Sequence, residues 1–109
     1  MSKTLHGTIK VTVGDDVYTM VPTLGAVRAI EAHFGGLRGA SQTVNALSVD
    51  GCARIVAAGA SLSEKDAEDL PEKVWQAGVL EVSVQLNAYL VALYNPRGKD
   101  SGKSEAEKE

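Results

Sequence analysis

The side chains that could do chemistry are few, and they are scattered along the chain. His6 and His33 have no second His, no Cys and no pair of carboxylates at the spacing that zinc ligands need. Cys52 is the only cysteine, and the neighbouring Asp50 and Gly51 do not supply the positive charge that would activate a thiol. Its place on an apolar stripe predicts a small core residue. These residues predict neither a metal site nor a nucleophile.

Carboxylates crowd residues 64–72, and clustered carboxylates can bind a cation. The acidic side chains in this stretch are Glu64, Asp66, Glu68, Asp69 and Glu72. A calcium loop needs alternate ligands, a central Gly and a closing Glu, and the stretch lacks this arrangement. Negative charges are favoured at the positive end of a helix dipole. The favoured interpretation is therefore a solvated helix start.

Two further motifs contain the residue types of a functional site, but not the spacing or surroundings that such a site needs. Gly-Lys-Ser at residues 102–104 imitates the end of a phosphate-binding loop, but that loop needs a Gly at position 97, where Arg97 stands. Asp15 and Asp16 could form an acid pair, but in a hairpin turn such residues are expected for backbone reasons and are hydrated. The sequence therefore predicts no enzyme activity and no cofactor.

The composition of the chain limits the classes of molecule that it could bind. The 109 residues carry 11 Lys and Arg against 14 Asp and Glu, so the net charge of −3 has the wrong sign for a nucleic-acid binder. Aromatic residues make up 5% of the chain, too few for a platform that stacks bases. An apolar run of about 18 residues and a signal peptide are both missing. These features predict a soluble cytosolic domain that binds neither nucleic acid nor membrane.

The elements that must position any site begin with a β-hairpin. Alternating apolar residues at 8–13 and 17–21 flank Gly14, Asp15 and Asp16, which predicts two strands and a tight turn. Thr23 is the predicted N-cap of the helix that follows, and Gly35-Gly36 ends it. We expect one face of this helix to cover the hairpin; its residues are Leu24, Val27, Ile30 and Phe34.

Short helices are predicted for the middle of the chain. Residues 37–40 form a glycine-containing link, and Ser41 caps a short turn that runs to residue 47. An apolar stripe from Val49 to Ala60 then indicates a helix that ends near Gly59. Residues 61–64 have the spacing of a capping box, and Ser63 can cap the next turn in the same way. Residues 71–77 form a helix opened by proline and stopped by Gly78.

The last helix, predicted over residues 79–94, is apolar on two sides. One face holds Val79, Val82, Leu86, Tyr89, Leu90 and Leu93, and the other holds Leu80, Val84, Ala88 and Val91. Such a helix is either central in its own domain or shared with another chain. Full burial within the monomer is the favoured interpretation. Trp75 likewise either anchors a partner or caps the core, and the core is favoured.

Together these elements predict an α+β fold, with an N-terminal β-hairpin followed by a compact bundle of four to five short helices. Residues 1–96 form one domain. Residues 97–109 contain a single apolar side chain, the methyl group of Ala106, and balance four positive charges with four negative ones. This segment cannot offset its ordering entropy by burial, so it is predicted to be a disordered charged tail.

The chain resembles a family in the order of its elements and in one specific stretch. The stretch is Thr-Leu-Gly-Ala-Val-Arg-Ala-Ile-Glu at residues 23–31, preceded by the strand at 17–22 and followed by Phe34-Gly35. In this it resembles the small tail assembly chaperones of bacteriophages, especially the group found in gene transfer agents and related prophages. The resemblance covers residues 7–95 and includes the Ser-Leu-Ser-Glu turn at 61–64 and the closing helix. The glycine-rich link at 35–39 is longer than the family's.

The resemblance implies a non-enzymatic role in the host bacterial cytoplasm. Such chaperones coat the tape-measure protein, a long and largely helical chain, until tail-tube subunits polymerise around it. The tail-tube protein and a second copy of the chain are further possible partners. The candidate partner-binding residues are Leu80, Val84, Ala88, Val91 and Trp75. The alternative is a minor structural tail or head-tail completion protein that stays in the virion.

Overall fold

The computed structural model describes residues 8–94. Its elements in chain order are β1 (Ile9–Val13), β2 (Asp16–Met20), α1 (Leu24–Phe34), α2 (Leu37–Asn45), α3 (Val49–Gly59), α4 (Glu64–Ala67), α5 (Leu70–Ala77) and α6 (Val79–Tyr94). The α+β fold class, a hairpin followed by short helices, is confirmed. The predicted domain end at residue 96 and the predicted tail at 97–109 lie outside the described residues.

The hairpin turn is one residue shorter than predicted. Val13 pairs with Asp16 in the antiparallel register, so Asp16 begins β2 and only Gly14 and Asp15 form the turn. Gly14 has a φ of 64°, the conformation that a two-residue hairpin turn requires at its first central position. The inner face of the hairpin is covered by α3, α5 and α6. A two-stranded ribbon needs such a cover to be stable.

Helix α1 begins and ends as predicted but packs elsewhere. The backbone N–H of Ala26 donates to Thr23 Oγ1 at 3.1 Å, and Gly35 ends the helix with a φ of 75°. Its neighbours are α2 and α3, so the predicted packing of its apolar face on the hairpin is wrong. Leu24 is 63% exposed, while Ile30 is 1% exposed. Two successive steps of three residues rotate a helix by about 120°, which carries Leu24 off the face of Ile30.

The predicted link at residues 37–40 is helical, and Ser41 lies inside α2 rather than at its cap. Gly39 explains the difference: a Cβ at this position would meet the carbonyl oxygen of Phe34, so glycine allows α2 to start directly after α1. The cap of α3 is Ser48, whose Oγ accepts the N–H of Gly51 at 3.0 Å. Of the predicted apolar stripe of α3, Cys52 and Val56 are fully buried, whereas Val49 and Ala60 at its two ends are half-buried.

The two short helices α4 and α5 follow their capping signals. Ser63 Oγ accepts the N–H of Asp66 at 3.1 Å, so Ser63 caps α4 as predicted. Ser61 adopts a φ of 57° outside any helix, so it does not form the first capping box. Helix α5 contains Pro71 in its first turn, and Gly78 ends it with a φ of 104°. The acidic residues of 64–72 are exposed, as expected of a solvated helix start.

Helix α6 has the predicted bounds and forms the centre of the core. It packs against β1, α2, α3 and α5. The first predicted face is buried, with Val79 half-buried at its start. The Tyr89 hydroxyl donates to the carbonyl oxygen of Val21 at 2.8 Å, and the N–H of Val21 donates to the carbonyl of Gly59 at 3.0 Å. The chain leaving the hairpin is therefore tied to both α6 and α3.

A side chain of α6 also pairs with one residue of the free edge of β1. Gln85 Oε1 accepts the backbone N–H of Thr12 at 2.7 Å, and Gln85 Nε2 donates to the carbonyl oxygen of Thr12 at 2.9 Å. An unpaired strand edge is a template for pairing with another chain. The amide of Gln85 replaces that partner and fixes α6 relative to the hairpin.

Candidate binding surface

The second apolar face of α6 is exposed. Leu80, Val84 and Val91 are 62%, 63% and 61% exposed, and Ala88 between them is also exposed. The favoured interpretation, burial of this face within the monomer, is therefore wrong for residues 8–94. The reason is the number of elements available: β1, α2, α3 and α5 pack on α6 and bury its other face. The four residues form one continuous apolar stripe, which we call the α6 stripe.

Trp75 is exposed as well, so its favoured assignment to the core is wrong. It is 67% exposed, the largest exposed fraction among the large apolar side chains of residues 8–94. Helix α5 buries Leu70 and Val74 instead. Trp75 lies about 100° round the helix from Val74, on the exposed side of α5. Trp75 belongs to α5, so it is not part of the α6 stripe.

The thiol of Cys52 lies in the core. Burial raises the pKa of Cys52 from its ordinary value of 9.0 to about 11. A nucleophilic cysteine needs a thiolate and access to solvent, and a fully buried thiol with a raised pKa has neither. The arrangement agrees with the predicted role of Cys52 as a small core residue.

This burial gives a direct test with a thiol reagent. At about pH 8 we expect iodoacetamide to alkylate Cys52 at least about a hundredfold more slowly in the native protein than in urea, because the pKa shift alone lowers the thiolate fraction by about that factor. Mass spectrometry of timed samples measures the rate, and the signal is unambiguous because the chain has one cysteine. Comparable rates in both states would restore Cys52 as a candidate nucleophile.

A polar groove that the sequence did not predict lies between three helices and the start of α5. It has a volume of about 480 Å³, and its polar lining residues are His33, Asp50, Arg54, Glu64 and Glu68. These residues come from α1, from α3, and from α4 with the residue that follows it, so no spacing within one segment of the sequence could have predicted the groove. Within residues 8–94 no group of three or more His, Cys, Asp or Glu side chains is arranged to hold a metal ion. His6 lies outside the described residues.

The predicted turn carboxylates do not form an acid pair. Asp16 Oδ2 lies 3.1 Å from Lys73 Nζ, and about half of each side chain is exposed. Asp15 is exposed in the turn. The hydrogen bond to Asp16 raises the pKa of Lys73, which keeps that amine charged. An exposed ion pair of this kind contributes little to stability and supplies no general base.

Within residues 8–94 no single helix is long and apolar enough to cross a membrane; α4 and α5 together with α6 reach that length and composition only as a pair bent by 115°. Comparisons of the chain with known protein families, with curated proteins and with solved structures find no match. The function must therefore be argued from the surface itself, where α6 carries more exposed large apolar side chains than any other element of residues 8–94.

Proposed function

We propose that this protein is a non-enzymatic tail assembly chaperone that holds an apolar helix of the tape-measure protein on the α6 stripe during tail assembly. The observation that carries the proposal is the exposure of Leu80, Val84 and Val91 on one face of a helix whose other face is the centre of the core. Recognition of an amphipathic helix by an apolar surface is a common mode of binding. The resemblance of residues 7–95 to these chaperones supplies the partner.

The size of the stripe suits a partner that must later be released. Complete burial of a Leu or Val side chain is worth about 1.5–3 kcal/mol, and these three side chains have about three fifths of that burial still to gain. Their sum is about 3–5 kcal/mol before the entropy of association is subtracted. A chaperone that leaves when the tail tube polymerises needs such a moderate gain at each contact.

The stripe can be tested by adding charge to it. Val84→Asp combined with Val91→Asp is expected to leave a folded protein, because both side chains are exposed and a surface position tolerates a carboxylate. The free energy of unfolding should change by less than about 1 kcal/mol in urea denaturation. On co-expression, the double variant should no longer keep the tape-measure protein in the soluble fraction.

A matched control adds the same charge elsewhere. Ala29→Asp combined with Ala32→Asp places two carboxylates on exposed positions of α1, away from the stripe. This control should keep the tape-measure protein in solution. An unfolded Val84→Asp, Val91→Asp variant would mean that the stripe is part of the core. A folded variant that still solubilises the partner would remove α6 from the mechanism.

The alternative role, a structural tail or head-tail completion protein, uses the same surface but differs in its fate. A chaperone leaves, so mass spectrometry of finished particles should find it absent or far below the level of the tail-tube protein. Stoichiometric retention in the particle would favour the structural role instead. This measurement is independent of the co-expression test.

A further inference from the structure

The outer edge of β2 is closed at one end and open at the other. In an antiparallel ladder, every second residue directs its N–H and C=O groups away from the paired strand. The N–H of Val21, directly after β2, donates to Gly59, and its carbonyl oxygen accepts from Tyr89. The same alternation directs the backbone groups of Val17 and Thr19 outward. No partner for these four groups, which we call the open edge of β2, occurs among residues 8–94.

The pairing of β2 with β1 confirms this direction. Val17 lies opposite Thr12, and both backbone groups of Thr12 bond to the side chain of Gln85 on the far side of β1. Thr12 and Val17 are therefore a non-hydrogen-bonded pair, whose backbone groups all point away from the partner strand. Lys10 and Thr19 are the next such pair along the register. The hairpin thus has one edge bonded at Thr12 and one edge free at Val17 and Thr19.

The sequence of β2 leaves this edge able to pair. Edge strands are commonly protected by a lysine, a proline or a β-bulge. β2 reads Asp-Val-Tyr-Thr-Met and pairs with β1 without a bulge, so it has none of these. Val17 and Thr19 are exposed and β-branched, and such side chains pack well against a neighbouring strand. A row of alternating donors and acceptors is matched by the backbone of another extended chain.

A cleft beside the open edge limits what the added strand can carry. Its volume is about 310 Å³, and its lining residues are Asp16, Val17, Tyr18, Leu62, Asp66 and Lys73. A volume of this size holds about ten water molecules, so it admits a long side chain and no folded domain. Because side chains alternate along a strand, every second residue of an added strand faces the cleft. The others lie in solvent beside Val17 and Thr19.

The charges of the cleft favour a basic side chain. Lys73 is paired with Asp16 at 3.1 Å, whereas Asp66 forms no ion pair in the part of the chain that the structure describes. Asp15 in the turn and Asp69 after α4 are also exposed and add negative charge around the cleft. Four carboxylates therefore surround one ammonium group. A lysine or arginine complements this field, and an acidic side chain is repelled by it.

A second copy of this chain is a poor occupant of the open edge. Antiparallel pairing of β2 with β2 of another copy is related by a twofold axis perpendicular to the joined sheet, which leaves the helices of both copies on the same side. Each copy would then bring its own Leu62 and Asp66 to the junction, where the cleft has room for side chains only. The two Asp66 carboxylates would also repel each other. A single extended segment has neither cost.

We propose that β2 binds an extended segment of another protein as a third strand of its sheet, with a lysine or arginine of that segment in the cleft beside Asp66. The backbone groups of Val17 and Thr19 bind the segment, and the carboxylate of Asp66 selects it by charge. This site lies apart from the α6 stripe and does not depend on the proposed function.

The test uses a synthetic peptide and the full chain. The probe has eight residues, with lysine at every second position and valine or threonine between, and a second probe has glutamate in place of lysine. Solvent-exchange NMR measures the amide exchange rates of Val17 and Thr19, which are unbonded in the free protein. At about 1 mM lysine probe both rates should fall about tenfold if the dissociation constant is about 0.1 mM. The amide of Tyr18, which already faces β1, should not change.

Methylated peptides test whether the backbone makes the contact. N-methylation removes donors from every second residue, and only one of the two alternating sets faces β2. One set of methyl groups should therefore abolish the protection of Val17 and Thr19, while the other set leaves it. Val17→Pro tests the same contact from the protein side, because it removes an outward N–H and leaves the ladder with β1 intact. The methylated peptides act on the native chain, so they decide even if Val17→Pro disturbs the hairpin.

A matched pair of variants tests the charge. Asp66→Asn should weaken the lysine probe about two- to fivefold, which is the usual effect of an exposed ion pair. Glu64→Gln removes a carboxylate from the same helix outside the cleft, so it should leave the affinity unchanged. The native chain should bind the glutamate probe at least about fivefold more weakly than the lysine probe.

Three results would overturn the proposal. The first is no protection of Val17 and Thr19 by the lysine probe, or equal binding of both methylated peptides. The second is equal binding of the lysine and glutamate probes. The third is slow exchange of Val17 and Thr19 in the free chain: in a dimer by sedimentation it would assign the edge to a second copy, and in a monomer to residues 1–7 or 95–109 of the same chain.

Discussion

Replacing Tyr89 with alanine is expected to lower the free energy of unfolding by about 3–5 kcal/mol, a large share of the roughly 5–15 kcal/mol that stabilises a domain. Tyr89 is fully buried on α6, and its ring lies so close to α3 that a Cβ at Gly59 would come within 2.9 Å of it. The truncation removes the ring and leaves a cavity where the hairpin exit, α3 and α6 meet. Urea denaturation followed by circular dichroism measures the loss.

Two variants divide the contribution of Tyr89 into its parts. Tyr89→Phe keeps the ring but leaves the carbonyl oxygen of Val21 without its donor, which should cost about 1–3 kcal/mol. Gly59→Ala pushes a methyl group against the ring and the Met20 side chain, and overpacking of this kind costs about 1–3 kcal/mol. If Tyr89→Phe were as damaging as Tyr89→Ala, the ring would contribute nothing and the packing argument would be wrong.

The parts of the fold that could be predicted from the sequence are those with local signals. Thr23 and Ser63 cap helices because their side-chain oxygens accept an N–H three residues on, and that geometry needs no information from elsewhere in the chain. Gly78 and the 16 apolar-rich residues after it fixed the bounds of α6. Gly39 is the reason that a link was predicted at residues 37–40, because glycine weakens a helix. In the structure, glycine at this position instead permits close contact with Phe34.

The sequence predicts the apolar character of the candidate site but not its exposure, because exposure depends on contacts between distant segments. Periodicity identified the α6 stripe as apolar, but it cannot count the elements that are available to cover a face. Whether Leu80, Val84 and Val91 are buried or exposed depended on how four other elements pack around α6. The exposure of Trp75 depended on which side of α5 faces the core. The charged groove around Arg54 joins three helices, and no single segment carries its pattern.

The second large expected effect on the free energy of unfolding tests which face of α1 lies in the core. Ile30→Ala should cost about 2–5 kcal/mol, because Ile30 is 1% exposed and its loss opens a cavity beneath α1, between α2 and α3. Arg28→Ala should cost under about 0.5 kcal/mol, since Arg28 is exposed. Leu24→Ala is the decisive comparison: spacing alone placed Leu24 on the core face, yet it is 63% exposed, so its truncation should resemble that of Arg28. Urea denaturation of the three variants measures the differences, and a loss at Leu24 as large as that at Ile30 would mean that α1 is rotated toward the hairpin.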